Sequence, residues 1–112
     1  MELARKPSHN EMQLLKLLVQ KAAVNFPPDW HHNLLVQPMN DGGMGSLLLL
    51  PDGMTRKERL FGAQISEHAL TDEDGVVVLV SLNVDDEGKL FELDIWKTNF
   101  DPLINLTLPK IA

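Results

Sequence analysis

The chain contains no cysteine. That absence excludes disulfides, thiolate metal sites and a cysteine nucleophile. Long apolar runs are missing too: Leu47 to Leu50 is far shorter than the roughly 20 residues a bilayer-spanning helix needs. The charged N-terminus is not followed by an apolar stretch that would serve as a signal peptide. Basic clusters are scarce, because Glu58 interrupts Arg56, Lys57 and Arg59, and the net charge is −6. A nucleic-acid partner needs clustered Lys and Arg, so none is expected. No solenoid-length repeat or low-complexity linker is present. These absences predict a cytoplasmic protein with neither nucleic acid nor membrane as a partner.

What remains is ordinary globular material. At 112 residues, 44% hydrophobic and 23% charged, the chain is expected to form a single domain, residues 1–112, around one core. A helix is predicted from Ser8 to Val24. Ser8 with Glu11 three residues later makes a capping box, and Pro7 can pack on Met12 as a staple. Leu14, Leu15, Leu18, Val19 and Ala22 form an apolar stripe at helical spacing. Pro27-Pro28 is the predicted stop.

Strand signals follow. Leu34 to Met39 and Met44 to Leu50 are short apolar runs joined by Asn40-Asp41-Gly42-Gly43, a hairpin signal that would pair Met39 with Met44 and Pro38 with Gly45. Because proline donates nothing to a ladder, the first of these strands is expected to lie at an edge or to end there. Leu60 to Leu70, Val76 to Val84 and Leu90 to Lys97 read as three more strands, separated by the acidic turns Asp72-Glu73-Asp74-Gly75 and Asp85-Asp86-Glu87-Gly88. Phe61, Ala63 and Ile65 would share one face of the first. The predicted class is α+β, with the N-terminal helix packed on one face of an antiparallel sheet of about five strands.

Taking each acidic turn as a four-residue loop sets a register in which Thr71 faces Val76 and Val84 faces Lys89. Val78, Val80, Leu82, Phe91, Leu93 and Ile95 would then meet the helix. On the opposite face Ser66, Ser81 and Glu92 would form one row, His68, Leu79 and Asp94 the next, and Leu70, Val77 and Trp96 an apolar third. A one-residue error in either loop would turn a strand over.

This polar face is the best candidate site, with Asp41, Ser66, His68, Ser81, Glu92, Asp94 and Trp96 as binding residues and no catalytic or metal-ligating residue assigned. An acid beside an imidazole can do proton transfer, and a tryptophan with a polar rim can hold a partner. An antiparallel sheet also commonly leaves one face simply wet. No nucleophile, base and orienting group come together in the pattern, so catalysis ranks below binding. No cofactor is expected.

Three further motifs are weighed against plainer readings. Asn83, Asp85, Glu87, Gly88 and Asp94 match parts of a calcium-loop spacing, but Glu stands at its fifth position, Asp at its last, and strands flank it, so a hairpin turn is preferred. Asp41 to Ser46 is glycine-rich, but no helix start or phosphate-binding lysine follows and Asp41 would repel phosphate. His31-His32 lacks the helical i, i+4 spacing of a zinc pair.

Asp41-Gly42-Gly43-Met44-Gly45-Ser46-Leu47, with Phe61-Gly62, Asp74-Gly75, Glu92-Leu93-Asp94-Ile95-Trp96-Lys97 and then Phe100, Pro102, Leu103 and Ile104, resembles a family of small bacterial proteins classed as a domain of unknown function. The resemblance covers most of the chain, from the first helix to Ile104. It implies a bacterial origin and no established activity, and its recurring Asp41, Glu92, Asp94 and Trp96 imply a shared surface.

The expected function is a non-enzymatic module that binds another protein, or an immunity-like protein that masks one, the partner being basic to suit the acidic chain. The alternative is a small ligand-binding domain or enzyme using His68, Glu92 and Asp94. A third reading is a homodimer built through the Leu47 to Leu50 strand or the apolar tail of Leu103, Ile104, Leu106 and Leu108.

Overall fold

The computed structural model describes residues 3–53 and 58–106. Arg56, Lys57 and Leu108 lie outside these residues. Helix α1 spans His9–Lys21, and its start is the predicted capping box. The Glu11 amide donates to Ser8 Oγ at 3.2 Å and the Ser8 amide donates to Glu11 Oε1 at 2.7 Å. Two orphan amides of the first turn are thereby satisfied. The helix ends well before Pro27, with Ala22 already extended. Its last residue, Lys21, reaches the sheet, where Nζ donates to the Glu67 carbonyl at 3.0 Å.

Five strands follow: β1 Leu35–Pro38, β2 Leu47–Leu50, β3 Phe61–Thr71, β4 Val77–Asp85 and β5 Leu90–Lys97. They form one antiparallel sheet in the order β1-β2-β5-β4-β3, an α+β fold with α1 on one face. β5 enters between β2 and β4, so the first hairpin and the three-strand meander are joined by β5. β1 lies at an edge and ends at its proline. β2 is internal, pairing with β1 along its length and with β5 through Leu47 and Leu48.

The core is the layer between α1 and the sheet. Leu14, Leu15 and Leu18 meet Val36, Leu47, Leu49, Val78, Val80, Leu82, Leu90, Leu93 and Ile95. Phe91, expected in this layer, is replaced there by Leu90 because the register shifts between Asn83 and Val84. Phe91 is instead half-buried with the Arg59 guanidinium 5.0 Å from its ring centroid.

The first hairpin is wider than predicted. Pro38 pairs with Leu47, not Gly45, and the Met39 amide bonds to the Ser46 carbonyl. The cause is the Asp41 carboxylate, which accepts from the amides of Met44, Gly45 and Ser46 and so gathers the glycine-rich segment into a loop.

Both acidic turns are built alike. Asp72 N bonds to Val76 O and Gly75 N to Asp72 O; Asp85 N bonds to Lys89 O and Gly88 N to Asp85 O. Gly75 and Gly88 have φ of 83° and 80°. These are three-residue hairpin loops closed by a glycine bulge, for which positive φ is required. Asp72 therefore faces Val76, one step from the four-residue assignment. That step turns β3 over: Ser66 pairs with Leu82 and His68 with Val80, on the helix side. At the second turn the same step is followed by the shift beside Phe91, and the two together leave the predicted faces of β5 intact from Glu92 onward.

Each turn is anchored by a buried ion pair. Lys97, fully buried, donates to Asp72 and Asp74, both at 2.7 Å. Burial by itself would raise the Asp72 pKa, but the Lys97 ammonium and the amides of Ile104, Asn105 and Glu73 outweigh it and hold the carboxyl well below the usual range. At the other end Arg59 Nε donates to Asp85 at 2.9 Å, and its remaining nitrogens reach the carbonyls of Leu49 and Leu90. Asp72, Asp74 and Asp85 thus have structural work in holding the two turns.

Candidate functional site

The face of the sheet away from α1 is laid out by the strand pairing. Its rows are Leu48, Glu92, Asn83 and Gln64; Asp94, Ser81 and Glu67; and Trp96, Leu79 and Ala69. Ser81 and Asn83 are buried in the troughs between their longer neighbours, whereas Glu67 and Asp94 are exposed. Asn83 Oδ1 has no hydrogen-bond partner. Among the described strand residues that point this way Glu67, Glu92 and Asp94 carry the charge, Glu92 half-buried and the other two exposed, and none is a lysine or arginine.

Next to the carboxylates lies an apolar patch. Trp96 is 42% exposed and Val77 45% exposed. Phe100, 69% exposed and held at positive φ in the turn after β5, packs edge-to-face on Trp96 at 4.9 Å between centroids. The Thr98 amide and hydroxyl both donate to the Val77 carbonyl, which ties that turn to β4. The result is a surface with an aromatic end and an anionic middle.

The glycine-rich loop supports this surface from one side. Ser46 is buried, its Oγ accepts from the Ile95 amide at 2.9 Å, and the same hydroxyl can donate to Asp94 Oδ1 or the Ile95 carbonyl, each 3.3 Å from Oγ. The Asp41 carboxylate holds Ser46 in turn. Burial would raise the Asp41 pKa, but the Ser46, Met44 and Gly45 donors outweigh it and lower the pKa. The two motifs of the sequence, Asp41 to Leu47 and Glu92 to Lys97, therefore meet through the Ser46 hydroxyl as well as through the pairing of Leu47 with Leu93. The tail joins them: Leu103 N donates to Gly43 O, and a Cβ at Gly43 would sit 3.2 Å from the Pro102 side chain.

Of the predicted residues, Ser81, Glu92, Asp94 and Trp96 share the open face and Asp41 reaches it through Ser46. Ser66 and His68 do not. Ser66 Oγ donates to the Leu18 carbonyl at 2.7 Å, and His68 Nδ1 lies 2.7 Å from Lys21 Nζ, both against α1. An ammonium only donates, so Nδ1 is the acceptor in that contact. His68 is thus separated by the sheet from Glu92 and Asp94, and the acid–imidazole constellation does not form. Glu67 takes the place expected for the histidine's row. Reading Gly75 as a bulge residue would have found it; nothing local marks Ser46 as the link.

Two clefts lie elsewhere. One of about 640 Å³ is bordered by Lys6, Met12, His31, His32, Leu35 and Asp52. The other, about 230 Å³, runs between the start of α1 and the tail, along Leu14, Ile95, Leu103 and Leu106. Neither is lined by His68, Glu92 or Asp94. Among the described residues no group of three or more His, Asp or Glu is placed to hold a metal ion. Among them, too, no helix is long and apolar enough to cross a membrane.

A family model described as "Domain of unknown function (DUF6984)" matches residues 4–107. The chain belongs to that family. The match takes in both motifs, the acidic turns and the Lys97 anchor, so the family segment and the folded unit coincide. No curated protein and no solved structure matches the chain. What can be said of function therefore rests on the open face.

Proposed function

We propose that this DUF6984 protein is a non-enzymatic module whose open sheet face binds a basic protein. The observation that carries this reading is the charge of that face. Glu67, Glu92 and Asp94 stand together without a cation among the outward strand residues, beside the exposed Val77, Trp96 and Phe100. Such a surface suits a partner with Lys or Arg side chains around an apolar contact, the aromatic pair supplying buried area and the carboxylates steering the encounter. An immunity-like role, masking a basic partner's working surface, needs the same chemistry. With the motif resemblance, the reading extends to a bacterial protein that meets its partner in the cytoplasm.

The test is affinity capture from the cell of origin followed by reconstitution with the purified partner. Wild type should bind with strong salt dependence. A variant carrying Glu67→Lys, Glu92→Lys and Asp94→Lys, and separately Trp96→Ala, should bind at least tenfold more weakly with unchanged circular dichroism. A reconstituted partner that binds all three proteins equally would refute the reading.

A further inference from the structure

We infer that the outer edge of β3, which no strand covers among the described residues, takes up an extended Lys- or Arg-bearing segment of the basic partner as a sixth strand. This rests on the reading of the open face as a basic-partner surface. The two edges of the sheet differ. At β1, Arg5 N donates to Val36 O at 2.8 Å and Val36 N to Arg5 O at 2.7 Å, so the outer side of that strand is already bridged. β3 is an 11-residue strand at the opposite edge, with no proline in it.

The bond from Asp72 N to Val76 O sets which amides point outward. In an antiparallel ladder bonded and non-bonded pairs alternate, so Leu70 and His68 exchange bonds with β4 while Thr71, Ala69 and Glu67 turn their N–H and C=O groups to the outside. The contact of Lys21 Nζ with Glu67 O confirms this alternation independently. That lysine is also the one side chain laid over these outward groups among the described residues, and charged side chains are a common way to guard an edge. The shifts in pairing between Phe61 and Ala63 and between Gln64 and Ser66 leave Ser66 to Thr71 as the regular stretch.

Charge selects the occupant. A strand added here places alternate side chains on the open face directly beside Glu67, with Asp94 in the same row two strands beyond, so cationic residues are favoured there. Main-chain bonds to Glu67, Ala69 and Thr71 would supply affinity and the carboxylates specificity, as in other cases of strand addition. Lys21 would leave the Glu67 carbonyl to the incoming amide.

The probe is a blocked seven-residue peptide alternating lysine and valine, titrated into nitrogen-15-labelled full chain. The amides of Glu67, Ala69 and Thr71 should shift and gain at least about tenfold protection from hydrogen exchange. The same peptide N-methylated on alternate residues should lose this effect. Ala69→Pro should lose it too, since its amide points outward and the ladder to β4 does not use it. Shifts confined to Glu92, Asp94 and Trp96, or equal binding of the N-methylated peptide, would overturn the added strand and leave the open-face reading standing. No shift anywhere would count against both. Protection of the β3 amides that rises with protein concentration alone would assign the edge to a second copy instead.

Discussion

Replacing Ser46 with alanine should destabilise the protein by about 1–3 kcal/mol, the cost of leaving one buried amide without an acceptor. Ser46 is 4% exposed and its Oγ is the acceptor of the Ile95 amide at 2.9 Å. The amide points toward β2, away from β4, and alanine offers no oxygen in its place. The lost donation toward Asp94 and Ile95 O, both at 3.3 Å, adds little because those contacts are long. For a chain of this length, about 2.1 cal/mol/K per residue of unfolding entropy gives about 4 °C for each kcal/mol. The melting temperature should therefore fall by roughly 4–13 °C, and with a urea slope of about 1.5 kcal/mol/M the midpoint should drop by roughly 0.7–2 M. Asp94→Ala is the companion measurement. Its carboxylate is exposed, so it should change stability by less than about 0.5 kcal/mol while weakening partner binding. Ser46→Ala within about 0.5 kcal/mol of wild type would refute the assignment of that hydroxyl as the join between the two motifs.

The remaining expectations concern the scaffold. Gly75→Ala meets nothing within 4 Å but forces a side chain to φ 83°, and should cost about 1–2 kcal/mol. Gly62→Ala should cost more in the same denaturation assay, because its Cβ would collide with the Asp85 carbonyl. Leu82→Ala empties a fully buried position between β3 and β5 and should cost about 2–5 kcal/mol. The Asp72 carboxyl has a lowered pKa in the folded state, so its contribution to stability is present above the ordinary carboxylate pKa and is lost as pH falls toward the folded value. Thermal melts should therefore show stability declining below about pH 4. Lys97→Met should flatten that decline, and an unchanged acid profile would show that Lys97 does not set it.

The helix start, the strand locations and the inward face of β4 could all be read from the chain because each depends on neighbours in sequence. A capping box needs only Ser8 and Glu11, and the alternation of Val78, Val80 and Leu82 shows itself within one strand. The class followed from these, as did the edge position of β1, since a proline restricts its own strand. The end of α1 did not follow. Ala22 to Val24 are compatible with a helix, and the chain leaves it where Lys21 meets β3.

The site was legible only in part, and the reason is a single residue of loop. Glu92, Asp94 and Trp96 were placed correctly because the glycine bulge at the second turn and the irregularity at Phe91 offset each other. Ser66 and His68 were misplaced because the same bulge at the first turn had nothing to offset it. A strand has period two, so a one-residue change moves every side chain to the other face.

Residue type, spacing and charge by themselves determined an acidic α+β chain with one helix, five strands and no thiol chemistry. Tertiary structure alone decided that β5 lies between β2 and β4, which brings Ser46 to Asp94 and buries Lys97 against Asp72. It also decided that Glu67, not His68, faces the open side. Those outcomes depend on register and strand order, which are set by contacts between residues far apart in the chain and leave no local mark on it.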